Sequence, residues 1–160
     1  MRGNIRNTAP TTVKDFIFPM RHQRQLLLTL LTLLPLLAAA ETLVVVVNPA
    51  SATEALSRNE VINIFLGRFR QFPSGMSAQP IDQPVSPIRA QFYRALVNKE
   101  PAEINAYWAR LVFSGRTSPP IQTEHPEEVT NALHANAGGI AYLERSKVSN
   151  REKIVFELAP

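Results

Sequence analysis

From residue 43 onward, short apolar runs alternate with stretches of helical period. Residues 43–47 read Leu-Val-Val-Val-Val, a strand apolar on both faces, which suits the middle of a parallel sheet covered by helices. Ser51-x-x-Glu54 and Ser57-x-x-Glu60 both have capping-box spacing. The second precedes Val61, Ile64 and Phe65, an i, i+3, i+4 stripe closed by Gly67, and predicts a helix over 57–66. Residues 67–80 keep no period and read as a loop, with a short extended piece at 68–72. Pro80-Ile81-Asp82 predicts a short strand. Ser86 as N-cap and Pro87 at the first helical position open a second helix, with Ile88, Phe92, Ala95 and Leu96 on its apolar face.

A third helix starts at Pro101, turns Ile104, Tyr107, Trp108 and Leu111 inward, and ends near Gly115. A polar, proline-rich connection follows, with Ile121-Gln122 extended. Pro126-Glu127-Glu128 begins a fourth helix, its acids on the positive end of the dipole, and Gly138-Gly139 closes it. Residues 140–143 and 153–158 are the last strands. Strands alternating with helices predict an α/β fold with a mixed, mostly parallel sheet flanked by helices.

Residues 26–40, LLLTLLTLLPLLAAA, carry no charge, follow Arg21, His22 and Arg24, and end in three alanines before Glu41. Basic, apolar and small-residue segments in that order are the layout of a secretory signal. The run is short of the roughly 20 apolar residues a membrane span needs. Cleavage after Ala40 is therefore expected in preference to an uncleaved anchor, leaving a single domain over 41–160 with no stable membrane span and a periplasmic location. Met20 stands where a start codon would give a signal of ordinary length.

That division changes the meaning of the charge. The chain's formal +4 lies wholly in residues 1–40, which hold five basic side chains against Asp15 alone. The remainder carries twelve of each sign. A nucleic-acid partner, which needs a basic face, is not expected. With 45% hydrophobic residues and no cysteine, the chain has the material for a core but none for a disulfide or thiolate chemistry.

Candidate chemistry is sparse. His125 and His134 lack metal-ligand spacing, so no metal is expected. The serines have no nucleophile-elbow context. Glu127 and Glu128 diverge on their helix, and Gly138-Gly139 ends a helix instead of opening one. Neither an enzyme nor a cofactor is implied. The informative stretch is Asp82-Gln83-Pro84-Val85-Ser86-Pro87-Ile88-Arg89, where a strand runs into a helix N-terminus. Unpaired amides and a partial positive charge there attract anions, and Arg89 can add a forked donor. The same residues also suit an ordinary cap, with Arg89 in solvent.

Three segments, in order, resemble phosphate ABC transporter substrate-binding proteins. Residues 56–68, LSRNEVINIFLGR, are similar to that family's Leu-Ser/Thr-x-x-Glu…Ile-Phe-x-Gly-Lys/Arg stretch. Ser86-Pro87-Ile88-Arg89-x-x-Phe92 stands at its Ser-Gly-Thr-Arg-x-x-Phe phosphate loop, and Gly138-Gly139-Ile140-Ala141-Tyr142 is similar to its Gly-x-Ile-Gly-Tyr strand. Tyr107-Trp108, Phe113-Ser114-Gly115 and Pro119-Pro120 further resemble its small, single-lobe members.

The resemblance implies one lobe of a type II periplasmic binding protein and a small oxyanion ligand, phosphate by default. Ser86 would donate its hydroxyl, the amides of Ile88 and Arg89 would line the helix end, and the Arg89 side chain would neutralise charge. Pro87 and Ile88 replace the loop's glycine and threonine, and Asp82 stands where larger members often have arginine. A carboxylate there repels a phosphate dianion unless it accepts a monoanion's proton. A membrane permease or a sensor kinase would be the partner. The alternative is a degenerate binding-protein domain serving as a periplasmic interaction module for a sensor or transporter subunit.

Overall fold

The computed structural model describes residues 41–159, Arg116 excepted. The proposed leader over 1–40 lies outside the described residues. Five strands and four helices follow in the order β1 (Leu43–Val47), α1 (Arg58–Phe65), β2 (Gln79–Asp82), α2 (Pro87–Val97), α3 (Pro101–Phe113), β3 (Ile121–Gln122), α4 (Glu128–Ala135), β4 (Gly139–Glu144) and β5 (Lys153–Glu157). The strands form one sheet of order β3-β2-β4-β1-β5. β2 pairs in parallel with β3 and β4, while β1 is antiparallel to β4 and β5. Four strands therefore share one direction and β1 alone is reversed, so the sheet is mixed and mostly parallel.

Helices cover both faces, which explains the pattern of β1. Leu43, Val45 and Val47 pack with Val61, Ile64 and Phe65 of α1, with Phe92, Tyr93 and Leu96 of α2, and with Ile104 and Trp108 of α3. Val44 and Val46 face the other way, onto Val129 and Leu133 of α4. The strand is interior as expected, but it does not lie in a parallel environment. Burial on both faces depends on the helix layers, and strand direction leaves no trace in the apolar pattern.

Local chemistry fixes the ends of the elements. Ser57 and Glu60 complete the capping box of α1. The Ser51-x-x-Glu54 box is not realised: residues 51–57 are non-helical. Ser51 Oγ accepts from the Thr53 amide at 3.2 Å instead, and Glu54 meets Lys153 at 2.9 Å. The chain stays open here because the buried Leu56 must reach β5, where its amide donates to Val155 O at 2.8 Å. Just after β1, Asn48 Nδ2 donates to the carbonyls of Leu133, His134 and Asn136 at 3.0–3.1 Å. These carbonyls lie at the end of α4 and its C-cap, where the helix itself leaves acceptors to be satisfied from outside. Glu128 reaches back to the amides of Glu124 and His125 at 3.1 and 3.3 Å and closes the start of α4.

Among the described residues, no helix is long and apolar enough to cross a membrane.

Candidate functional site

Three residues, Gln83-Pro84-Val85, join the end of β2 to Ser86, the N-cap of α2. Ser86 is extended, and its Oγ accepts from the Arg89 amide at 3.2 Å. Pro87 fills the first helical position, where its missing amide costs nothing. The Ala90 amide bonds to Ser86 O at 3.2 Å. Ile88 is thus the first-turn residue whose amide the chain leaves for an outside acceptor, next to the Ser86 hydroxyl proton. The Arg89 amide, which the resemblance assigns to the ligand, is taken by the cap.

The Arg89 side chain is not in solvent. It is 3% exposed and Asp82 4% exposed, and Arg89 Nε lies 2.9 Å from Asp82 Oδ2. Arg89 Nη2 donates to Asn105 of α3 at 3.1 Å, and its guanidinium carbon sits 5.3 Å above the Tyr93 ring. Every remaining site on the Asp82 carboxylate is also used. Tyr93 Oη donates to Oδ2 at 3.1 Å; Tyr142 Oη and the Gln83 amide donate to Oδ1 at 2.5 and 3.0 Å. Tyr142 is held flat against Phe92, with ring centroids 3.7 Å apart. Gln83 Nε2 donates to Tyr142 O at 3.1 Å.

The electrostatics follow from that packing. Burial works against the charge on Arg89, but the carboxylate beside it more than offsets this and raises its pKa. Burial also lifts both Tyr93 and Tyr142 well above the ordinary phenol range, reinforced by the negative charge of Asp82. The arrangement is a buried ion pair whose carboxylate is wrapped in neutral donors, while Arg89 Nη1 is buried without a partner among the described residues. In position and sign, the carboxylate of Asp82 meets the guanidinium that an incoming oxyanion would need.

The structure thus brings Asp82, Ser86, Ile88 and Arg89 to one helix end, with two of the four turned inward. Tyr93, Tyr142, Gln83 and Asn105 complete the network and were not among the residues expected. Tyr93 carried a signal, since it lies four residues beyond Arg89 on one helix face. Tyr142, sixty residues from Asp82, stood only as the last residue of the Gly138–Tyr142 motif, with nothing local to join it to Asp82. Among the described residues, no group of three or more His, Asp or Glu is placed to hold a metal ion.

The buried tyrosines make a testable feature. The unfolded chain releases phenolic protons at about pH 10, whereas the fold keeps Tyr93 and Tyr142 protonated above it. Their stabilisation is complete below that pH and is lost as the pH rises through the raised values. A near-ultraviolet titration is expected to show fewer than the chain's three tyrosines ionising reversibly at about pH 11, with the rest appearing only as the protein unfolds.

An open α/β lobe with a helix end at the carboxyl edge of a parallel strand belongs to the class of folds that bind ligands at that edge. No family model matches the chain, and no curated protein does. Solved structures do match its fold. An ABC-type phosphate transport receptor from Vibrio cholerae aligns with a TM-score of 0.56 at 14% identity, over 72% of this chain and 45% of its own. A protein from Clostridium perfringens assigned as a phosphate ABC transporter substrate-binding protein, solved with bound phosphate, gives 0.58 at 12% identity, over 72% and 44%. A phosphate-binding-protein candidate from Planctomyces limnophilus gives 0.51 at 12%, over 72% and 40%. The chain therefore has a fold found in phosphate transport receptors, and it spans less than half the length of each.

Proposed function

We propose that the protein is an exported, non-enzymatic domain of the solute-binding type that receives a small oxyanion, phosphate by default, at the N-terminus of α2. The second wall of the site comes from another chain, a membrane permease or a sensor kinase. The observation that carries this reading is the open Ser86 hydroxyl and Ile88 amide at the carboxyl end of β2, in a fold that solved phosphate receptors share. The apolar run over 26–40 supports export, with cleavage after Ala40 and a working domain over 41–160.

Affinity without the partner is low. The Arg89 guanidinium is committed to Asp82, and the ligand meets two neutral donors in place of an ion pair. Each such bond contributes only about 0.5–1.5 kcal/mol net, and two together correspond to a dissociation constant of about 10 mM or weaker. Titration calorimetry of phosphate into phosphate-stripped protein is the test. Saturable heat that disappears in Ser86→Asp is the expected result, because aspartate caps the helix as well as serine does while repelling the anion. Arg89→Ala is a poor control, since it breaks the buried pair.

A second reading has its own support. Asp82 already sits on Arg89 at 2.9 Å, as in a binding-protein lobe whose ligand chemistry has been replaced from within and whose work is protein docking. A folded protein that gives no heat at phosphate concentrations up to about 100 mM, well above the expected dissociation constant, transfers the function to that reading.

A further inference from the structure

α1 and α3 are separated on the outer side of the helical layer by an open groove of about 750 Å³. Its floor is apolar: Ile62 and Leu66 from α1 and its C-cap, Val97 at the end of α2, and Ile104 and Tyr107 from α3. The Tyr107 hydroxyl is held by Leu66 O at 2.8 Å, which fixes the ring as part of that floor. On α3 the groove side is the i, i+3, i+4, i+7 row Glu103, Ala106, Tyr107 and Arg110, the spacing of one helix face.

The rim is polarised. Lys99 and Glu103 neutralise one another at 2.7 Å. Arg68 and Arg110 also line the groove, both are exposed, and neither has a carboxylate within 4.0 Å among the described residues. The side-chain partner of Arg68 is Asn63 Oδ1, at 3.4 Å. Two uncommitted guanidiniums thus overlook an apolar trough walled by helices. Such a trough takes the apolar face of another helix, and the unspent positive charge selects carboxylates on that helix's flank. α3, with thirteen residues, is about 20 Å long and sets the footprint at three to four turns.

We propose that this groove docks an acidic amphipathic helix of a partner protein, its apolar stripe on Leu66 and Tyr107 and its carboxylates on Arg68 and Arg110. The proposal goes beyond the oxyanion reading and does not depend on it, because the groove is built from other residues than the N-terminus of α2.

The probe is a fluorescein-labelled helical peptide of about 16 residues, ~24 Å long, with leucines on one face and glutamates beside them, titrated with the full chain and read by anisotropy. A second peptide has every glutamate replaced by lysine. Saturable binding of the glutamate peptide is expected, at least ~10-fold tighter than the lysine peptide. The preference reverses in the double variant Arg68→Glu/Arg110→Glu, with the circular dichroism and the phosphate titration unchanged. Equal binding of both peptides, no binding of either, or an unaltered preference in the double variant overturns the proposal. So does a protein that binds phosphatidylglycerol vesicles through these arginines while the glutamate peptide fails to compete.

Discussion

Asp82→Ala is expected to destabilise the protein by about 3–5 kcal/mol, the usual cost of removing one partner of a buried ion pair. Arg89 would then keep a desolvated charge with Asn105 and the face of Tyr93 as its remaining company. Tyr93 and Tyr142 would lose their acceptor in the same step, and the Gln83 amide would keep only Tyr142 Oη at 3.3 Å. Against a total stability of typically about 5–15 kcal/mol, that is a loss visible as a shifted urea midpoint. Removing both charges separates a stability role from mere site damage. Asp82→Ala combined with Arg89→Met should recover a large part of the loss, since buried pairs are often replaceable by apolar groups. A double variant no more stable than Asp82→Ala alone would mean that the tyrosine–carboxylate bonds, and not the charge on Arg89, hold the site.

Gly138→Ala is the second large effect. A β-carbon on Gly138 would come within 2.1 Å of the Ser77 carbonyl oxygen, a backbone atom that no rotamer change can move. This is where the parallel pairing of β2 and β4 begins, with the Gln79 amide on Gly138 O at 2.8 Å. Relief requires the two strands to part at that end. A loss of about 3 kcal/mol or more is expected, at the upper side of what overpacking costs. The contrast is Gly75→Ala. Gly75 has nothing within 4 Å of its added carbon but does sit at φ +83°, so its cost is conformational strain in an exposed turn and should be smaller. Thermal melts of the two variants side by side check the difference; equal losses would show that the close approach at Gly138 relaxes freely.

The fold was more legible in the sequence than the site. The stripe at Val61, Ile64 and Phe65, the proline and serine at the start of α2, and the glycines behind α4 each act locally, so their meaning survives without the tertiary structure. The box at Ser51 and Glu54 has the same spacing as the one at Ser57 and Glu60. It failed because Leu56 is needed at β5, a demand from about a hundred residues away that no local pattern records. The inner part of the candidate site was hidden in the same manner. Asp82 and Arg89 were both visible as charged groups beside a helix end, and their opposite signs across a short turn were open to reading as a pair. What turns that pair inward is the approach of Tyr142 from β4 and Tyr93 from α2, and only packing brings these together. At α2, Ile88 and Ala95 were expected in the core but are only partly buried, while Arg89 and Tyr93 take buried positions. The ion pair draws that face of the helix toward the sheet.

The reversal of β1 has a consequence for how the chain acquires its structure. β1 is the first strand among the described residues, yet its two neighbours are the last two: Leu43 pairs with Glu144, and Val45 with Phe156. Each ladder closes a loop of about a hundred residues, a high contact order, and topologies of that kind fold slowly because closure entropy is spent before the contacts form. A ribosome delivering the chain from its N-terminus releases a bare, five-residue valine-rich strand long before either partner exists. The sheet completes only once Lys153–Glu157 are available, so β1 waits without either partner until nearly all of the domain has been made.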